Sequence, residues 1–248
     1  MKSLKFCLVA ATVMLLAVIA VMPAWAGFFD DLGKGLGISS PSATGSGLDD
    51  KTIAGGLKEA LATGTEKAVK SVSQSGGYFN NDMIKILLPE KMRNVAELMS
   101  AFGFRQQVDD FVLSMNRAAE KAAPKAAGYF ADAIKTMSFD DAKGILNGGN
   151  SAATDYFRKK TGDKIFASFK PVVASSMKDV GVANNYKQMI DKFEALPLVG
   201  KTDSLDLDNY VTGKAVDGLF SVLAEEEKKI RTDPLARGTE LLKSVFGK

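Results

Sequence analysis

The chain has 248 residues, with 32 Lys and Arg against 29 Asp and Glu, a single Cys, a single Trp and no His. Without imidazole, Ser-His and Cys-His nucleophile pairs are impossible, and so is any His-ligated zinc, copper or haem site. A net charge of +3 is too small to neutralise a run of phosphates, so nucleic acid is not an expected partner.

Lys2 and Lys5 precede an uncharged, almost wholly apolar run from Phe6 to Met22, closed by Pro23 and Ala24-Trp25-Ala26. A positive start, an apolar middle and a small-x-small end predict a secretory signal peptide over residues 1–26, cut after Ala26. No basic stop-transfer cluster follows, so the mature chain is expected in the periplasm with no membrane span. The leader takes away the only Cys, the only Trp and two Lys, leaving 30 basic against 29 acidic side chains. Thiolate sites and disulfides are thereby excluded as well. Carboxylate, Lys, Tyr and Ser chemistry remain, with hard oxygen-ligated ions. Residues 27–48 contain six Gly and four Ser, the composition of a flexible linker, in which the apolar group Phe28, Phe29 and Leu32 stands out.

From Asp49 to Lys248 the pattern predicts one helical domain. Ile53, Leu57, Leu61, Ala68, Val69 and Val72 recur on one helical face that ends near Gly76-Gly77. MIKILLP, residues 83–89, reads as a short strand, with LPLVG at 196–200 as its candidate partner. Met92, Val95, Leu98, Met99 and Phe102 form the next stripe, closed by Gly103. The following helix carries Phe104, Val108, Phe111, Val112, Met115, Ala119 and Ala122 on one side and Leu113 on the other, which predicts a central position. Pro124 starts a new helix or kinks this one.

Ser138-Phe139-Asp140-Asp141 resembles a capping box with Asp in place of Glu, opening a short helix that stops at Gly148-Gly149. That glycine pair runs through Asn150 and Ser151 into another helix start, whose free N–H groups suit an anion. It lacks the Lys and spacing of a phosphate loop, and a glycine C-cap followed by an N-cap accounts for it. The next stripe, Phe166, Phe169, Val173, Met177 and Val180, crosses Pro171. A helix is expected over 182–195. Asp206 or Asp208 caps a long helix with Val216, Leu219, Leu223 and Ile230, and Asp233-Pro234 opens the last one. DSLDLDN at 203–209 lacks the ligands of a calcium loop at its third, sixth and twelfth positions. The fold class is therefore all-α: a compact bundle of about eight helices with at most one short strand pair, behind a flexible linker.

FVLSMNRAAEKAAPKA, MSFDDAKGILNGGNSAATDYFRKKT and LFSVLAEEEKKIRTDPLARG resemble the bacterial family catalogued as domain of unknown function 4197, over about residue 50 to the C-terminus. The resemblance implies exported helical proteins and supplies no residue roles.

The charged stretch AEEEKKIRTDPLARG, 224–238, is the densest candidate site. With Leu219 at about 0° on a helical wheel, Leu223 falls near 40°, Ile230 near 20° and Val216 near 60°. Glu226 at about 340° then lies inside the apolar stripe and Glu227 at about 80° borders it. A buried carboxylate must be paired, metal-bound or protonated. Arg117 and Arg158 are the expected partners of Glu226, and Glu120, Glu227 and Arg231 complete the cluster. No catalytic residue, metal or cofactor is assigned. The first functional reading is a non-enzymatic envelope protein that binds or scaffolds another protein. The seven Met left after the leader, with the Phe-rich stripes, support an apolar-ligand carrier as an alternative. A carboxylate hydrolase using Glu226 or Glu227 is the third.

Overall fold

In the computed structural model, residues 50–179 and 206–233 are described. They form α1 (Asp50–Ser73), α2 (Glu90–Ala101), α3 (Arg105–Ala122), a 3-10 turn (Ala123–Lys125), α4 (Ala126–Lys135), α5 (Phe139–Leu146), α6 (Ala152–Asp179) and α7 (Leu207–Thr232). The architecture is an all-α bundle. Seven α-helices and one short turn, rather than about eight helices, make up the described residues. The expected leader, the linker, the helix over 182–195 and the helix after Pro234 lie outside them.

α6 and α7 share the most extensive packing, α3 lies against α6, and α1 lies against α7 and α4. The apolar spacing accounts for this arrangement. Leu57, Leu61, Ala68, Val69 and Val72 of α1 are buried, as are Val211, Ala215, Leu219, Leu223 and Ile230 of α7. In α6 the buried stripe is Phe157, Ile165, Phe169, Val173 and Met177, and Pro171 sits inside the helix on its exposed side. α3 is less central than its two-sided pattern predicts. Its first three residues are exposed, Leu113 is only half-buried, and full burial starts at Phe111.

The second half of α3 and the turn after it place Ala118, Ala119, Ala122, Ala123 and Ala126 out of contact with solvent. Methyl-sized side chains let neighbouring helices approach closely there, and Pro124 sits at the start of the 3-10 turn, where its missing N–H costs little. A chain of edge-to-face rings then ties three helices together. Phe130 of α4 meets Phe157 of α6 at 5.2 Å and Phe220 of α7 at 5.9 Å between centroids. Tyr78 lies across α7 at Gly218, where a Cβ would come within 2.7 Å of its ring, and its hydroxyl donates to the Ala215 carbonyl at 2.6 Å.

Residues 83–89 are not a strand. Ile84 and Ile86 are buried while Met83 and Leu87 are exposed, so the alternation is real, but no neighbouring strand answers it among the described residues. The side-chain amide of Asn116, on α3, takes that role. The Ile86 N–H donates to Asn116 Oδ1 at 2.8 Å, and Asn116 Nδ2 donates to the Ile86 carbonyl at 2.9 Å. One amide thus satisfies both backbone polar groups of a buried residue, as a β-neighbour would. The candidate partner at 196–200 lies outside the described residues.

Candidate functional site

Two buried carboxylates, each beside an Arg on its own helix, are the chemically notable groups of the described chain. Glu227 projects from α7 toward the first turn of α6. Its Oε1 accepts from the Ala153 N–H at 2.9 Å and from Arg231 Nε and Nη2 at 3.0 and 2.9 Å. Its Oε2 accepts from the Thr154 N–H at 2.9 Å and the Thr154 hydroxyl at 2.8 Å. The first N–H groups of a helix have no partner within it, and the dipole there favours negative charge. Glu227 therefore caps α6 from a different helix. Arg231 Nη2 also donates to the Ile145 carbonyl at 2.8 Å, near the end of α5. The anion that suits the helix start after Gly148-Gly149 is thus the protein's own side chain.

Glu120 does the same for a loop. Its Oε1 accepts from the backbone N–H groups of Gly76, Tyr78 and Phe79 at 3.1, 3.2 and 3.4 Å. Three N–H groups of one loop converging on one oxygen form an anion-binding concavity, and the φ of +89° at Gly76 helps close it. Arg117, three residues earlier on α3, donates to the other oxygen of Glu120. Burial and the nearby negative charge of Glu120 together push the Tyr78 phenol far above its ordinary range.

The expected pairing of Glu226 with Arg117 or Arg158 is not formed. Glu226 is 18% exposed and bonds Lys229 on its own helix at 2.6 Å. Arg158 bonds Asp217 at 3.0 Å in an exposed position, with its guanidinium 4.6 Å from the Phe220 ring centre. The wheel errs because the buried arc of α7 narrows at its end. After Val222 only Leu223, Glu227 and Ile230 are buried, on the side facing α1 and the start of α6. The sequence cluster therefore divides into two sites, Arg117 with Glu120 and Glu227 with Arg231, while Glu226 and Arg158 belong to neither. Reading the sequence alone misses Asn116 and Thr154, since nothing in their spacing distinguishes them from surface polar residues.

What these sites can do chemically follows from their lone pairs. A carboxylate has about four acceptor positions. Glu227 receives five donors spread over both oxygens, which leaves it without spare capacity, whereas Glu120 takes three on Oε1 and only Arg117 on Oε2. The cavity beside Glu227 and Arg231, lined also by Leu57, Ala60, Ile145 and Phe157, measures about 20 Å³, room for one water. Among the described residues no group of three or more His, Cys, Asp or Glu could hold a metal ion. None of the described helices is long and apolar enough to cross a membrane.

Residues 47–247 match the family described as Protein of unknown function (DUF4197). The chain belongs to that family. Neither a curated protein nor a solved structure matches it. Both carboxylate sites of this DUF4197 chain fall within the matched span, and so does every described helix.

Proposed function

We propose that this DUF4197 chain is an exported, non-enzymatic helical module of the bacterial envelope that works by binding another protein. The observation that carries the reading is the use of Glu120 and Glu227 as internal caps, with Glu227 filled on both oxygens. The two carboxylates best buried for unusual chemistry serve to cap a helix and a loop. For Glu227 to act as a general base it would have to give up helix-cap bonds, which a hydrolase has no reason to build into its catalyst. The export half of the proposal rests on the charged, apolar and small-residue pattern of residues 1–26.

Among the described residues, a groove between α1 and α5 favours the carrier alternative. Ile53, Ala54, Leu57, Phe139, Ala142 and Leu146 line a half-open space of about 170 Å³. Sites for small ligands run to about 300 to 1,000 Å³, so protein binding is preferred. Native mass spectrometry of the chain released from the envelope tests the three parts together. The expected species starts at Gly27 and is bound to a second polypeptide. A retained apolar small molecule would replace the reading with the carrier, and a cytosolic chain starting at Met1 would remove the export half.

A further inference from the structure

We propose that the end of the α2–α3 hairpin inserts into a zwitterionic lipid surface. This goes beyond the protein-binding reading and does not depend on it. Among the described helices α2 packs chiefly against α3, and the seven residues from Ala101 to Gln107 are all exposed. The hairpin end is therefore open to solvent. At its turn, where Gly103 has a φ of +90°, Phe102 is 70% exposed, the most of any large apolar side chain described, and Leu98 and Phe104 are partly exposed beside it.

Charge selects the occupant. From Leu98 to Val108 the only charged side chain is Arg105. The last turn of α2 is uncharged along about 5.4 Å, which matches the roughly 5 to 10 Å by which interfacial segments enter a bilayer. Arg105 is exposed, reaches only to Asp109 at 3.9 Å, and can extend its head to the phosphate level while its stem stays apolar. The charges nearest this end, Glu97, Asp109 and Asp110 against Arg93 and Arg105, carry no basic excess, so anionic headgroups gain nothing and neutral ones are preferred. A protein partner or a second copy fits less well. Three partly exposed side chains on a convex end offer far less than the roughly 800 Å² per side that a stable protein interface buries. A bilayer demands no such complementary shape.

Phe102→Trp in a full chain that also carries Trp25→Phe makes position 102 the sole indole, because Trp25 is the only Trp. With phosphatidylcholine vesicles, emission from position 102 should shift to shorter wavelength and be quenched when the acyl chains are brominated. Leu98→Asp, which adds a carboxylate to the uncharged turn, should abolish both effects while circular dichroism keeps its helical signal. Replacing part of the lipid with phosphatidylglycerol should not strengthen them. Binding through any other segment, including the apolar run at 6–22, would leave the signal unshifted and overturn the proposal. Concentration-dependent dimers in sedimentation that vanish with Leu98→Asp, without a vesicle response, would overturn it in favour of a second copy. An emission shift produced only by a co-purifying polypeptide would overturn it in favour of a protein partner.

Discussion

Glu226 and Glu227 are adjacent in sequence and opposite in environment, which makes them a matched pair for experiment. Glu227→Ala strands the Arg231 guanidinium, two backbone N–H groups and a hydroxyl in a buried site, and should cost about 3 to 5 kcal/mol in urea unfolding. Glu226→Ala removes an ion pair whose lysine partner is mostly exposed and should stay within about 0.5 kcal/mol. Arg231→Ala added to Glu227→Ala should cost far less than its effect alone, since the two side chains share one hydrogen-bonded unit. Additive losses would mean that Glu227 acts on α6 alone. The corresponding cycle between Glu226 and Arg117 or Arg158 should show no coupling, because neither Arg touches Glu226.

At the scale of elements, local signals were legible and environmental ones were not. Ser138 caps α5 through the Asp141 N–H, and the Asp141 carboxylate returns a bond to the Ser138 N–H, as the four-residue pattern announces. Asp206 caps α7 through the Asn209 N–H. Such motifs close within one turn of chain and need no partner from elsewhere. Ser138→Ala should accordingly cost about 1 kcal/mol in thermal or urea melts. The segment at 83–89 failed for the converse reason. Alternating burial looks the same whether a strand or a side-chain amide satisfies the backbone, and Asn116 is 30 residues away from Ile86. Asn116→Ala leaves the N–H and the carbonyl of Ile86 unpaired in a buried place, so the expected loss is about 2 kcal/mol or more. Asn116→Asp keeps the acceptor but sets an oxygen against the Ile86 carbonyl, and should not restore wild-type stability. An unchanged melt for Asn116→Ala would mean that water replaces the amide. Glu226 was misplaced by a related blindness, because a helical wheel gives azimuth but not the level at which a neighbouring helix ends.

For the whole molecule, the absence of His removes the usual titration between pH 5 and 8, and the pH limit shifts to the tyrosines. Tyr78, Tyr156 and Tyr210 are all held above their ordinary value, in each case mainly because burial penalises the phenolate. For Tyr78 the negative charge of Glu120 adds to the effect. A phenol raised in the folded state stays protonated there after its unfolded counterpart has ionised near pH 10, so its stabilising contribution is full below about pH 10 and is lost above it. Folding stability should fall beyond that point, and Tyr78, the most deeply buried of the three, contributes up to about 1.4 kcal/mol per pH unit while it remains protonated in the fold. Tyr78→Phe separates this term from the general loss of lysine charge at the same pH. The variant should be less stable at pH 7, by about 1 kcal/mol, because the Ala215 carbonyl loses its hydroxyl donor. Above pH 10 its stability should decline less steeply, so the two unfolding curves converge. Parallel declines in urea titrations from pH 8 to about 11.5 would place the alkaline sensitivity elsewhere than in the Tyr78 phenol.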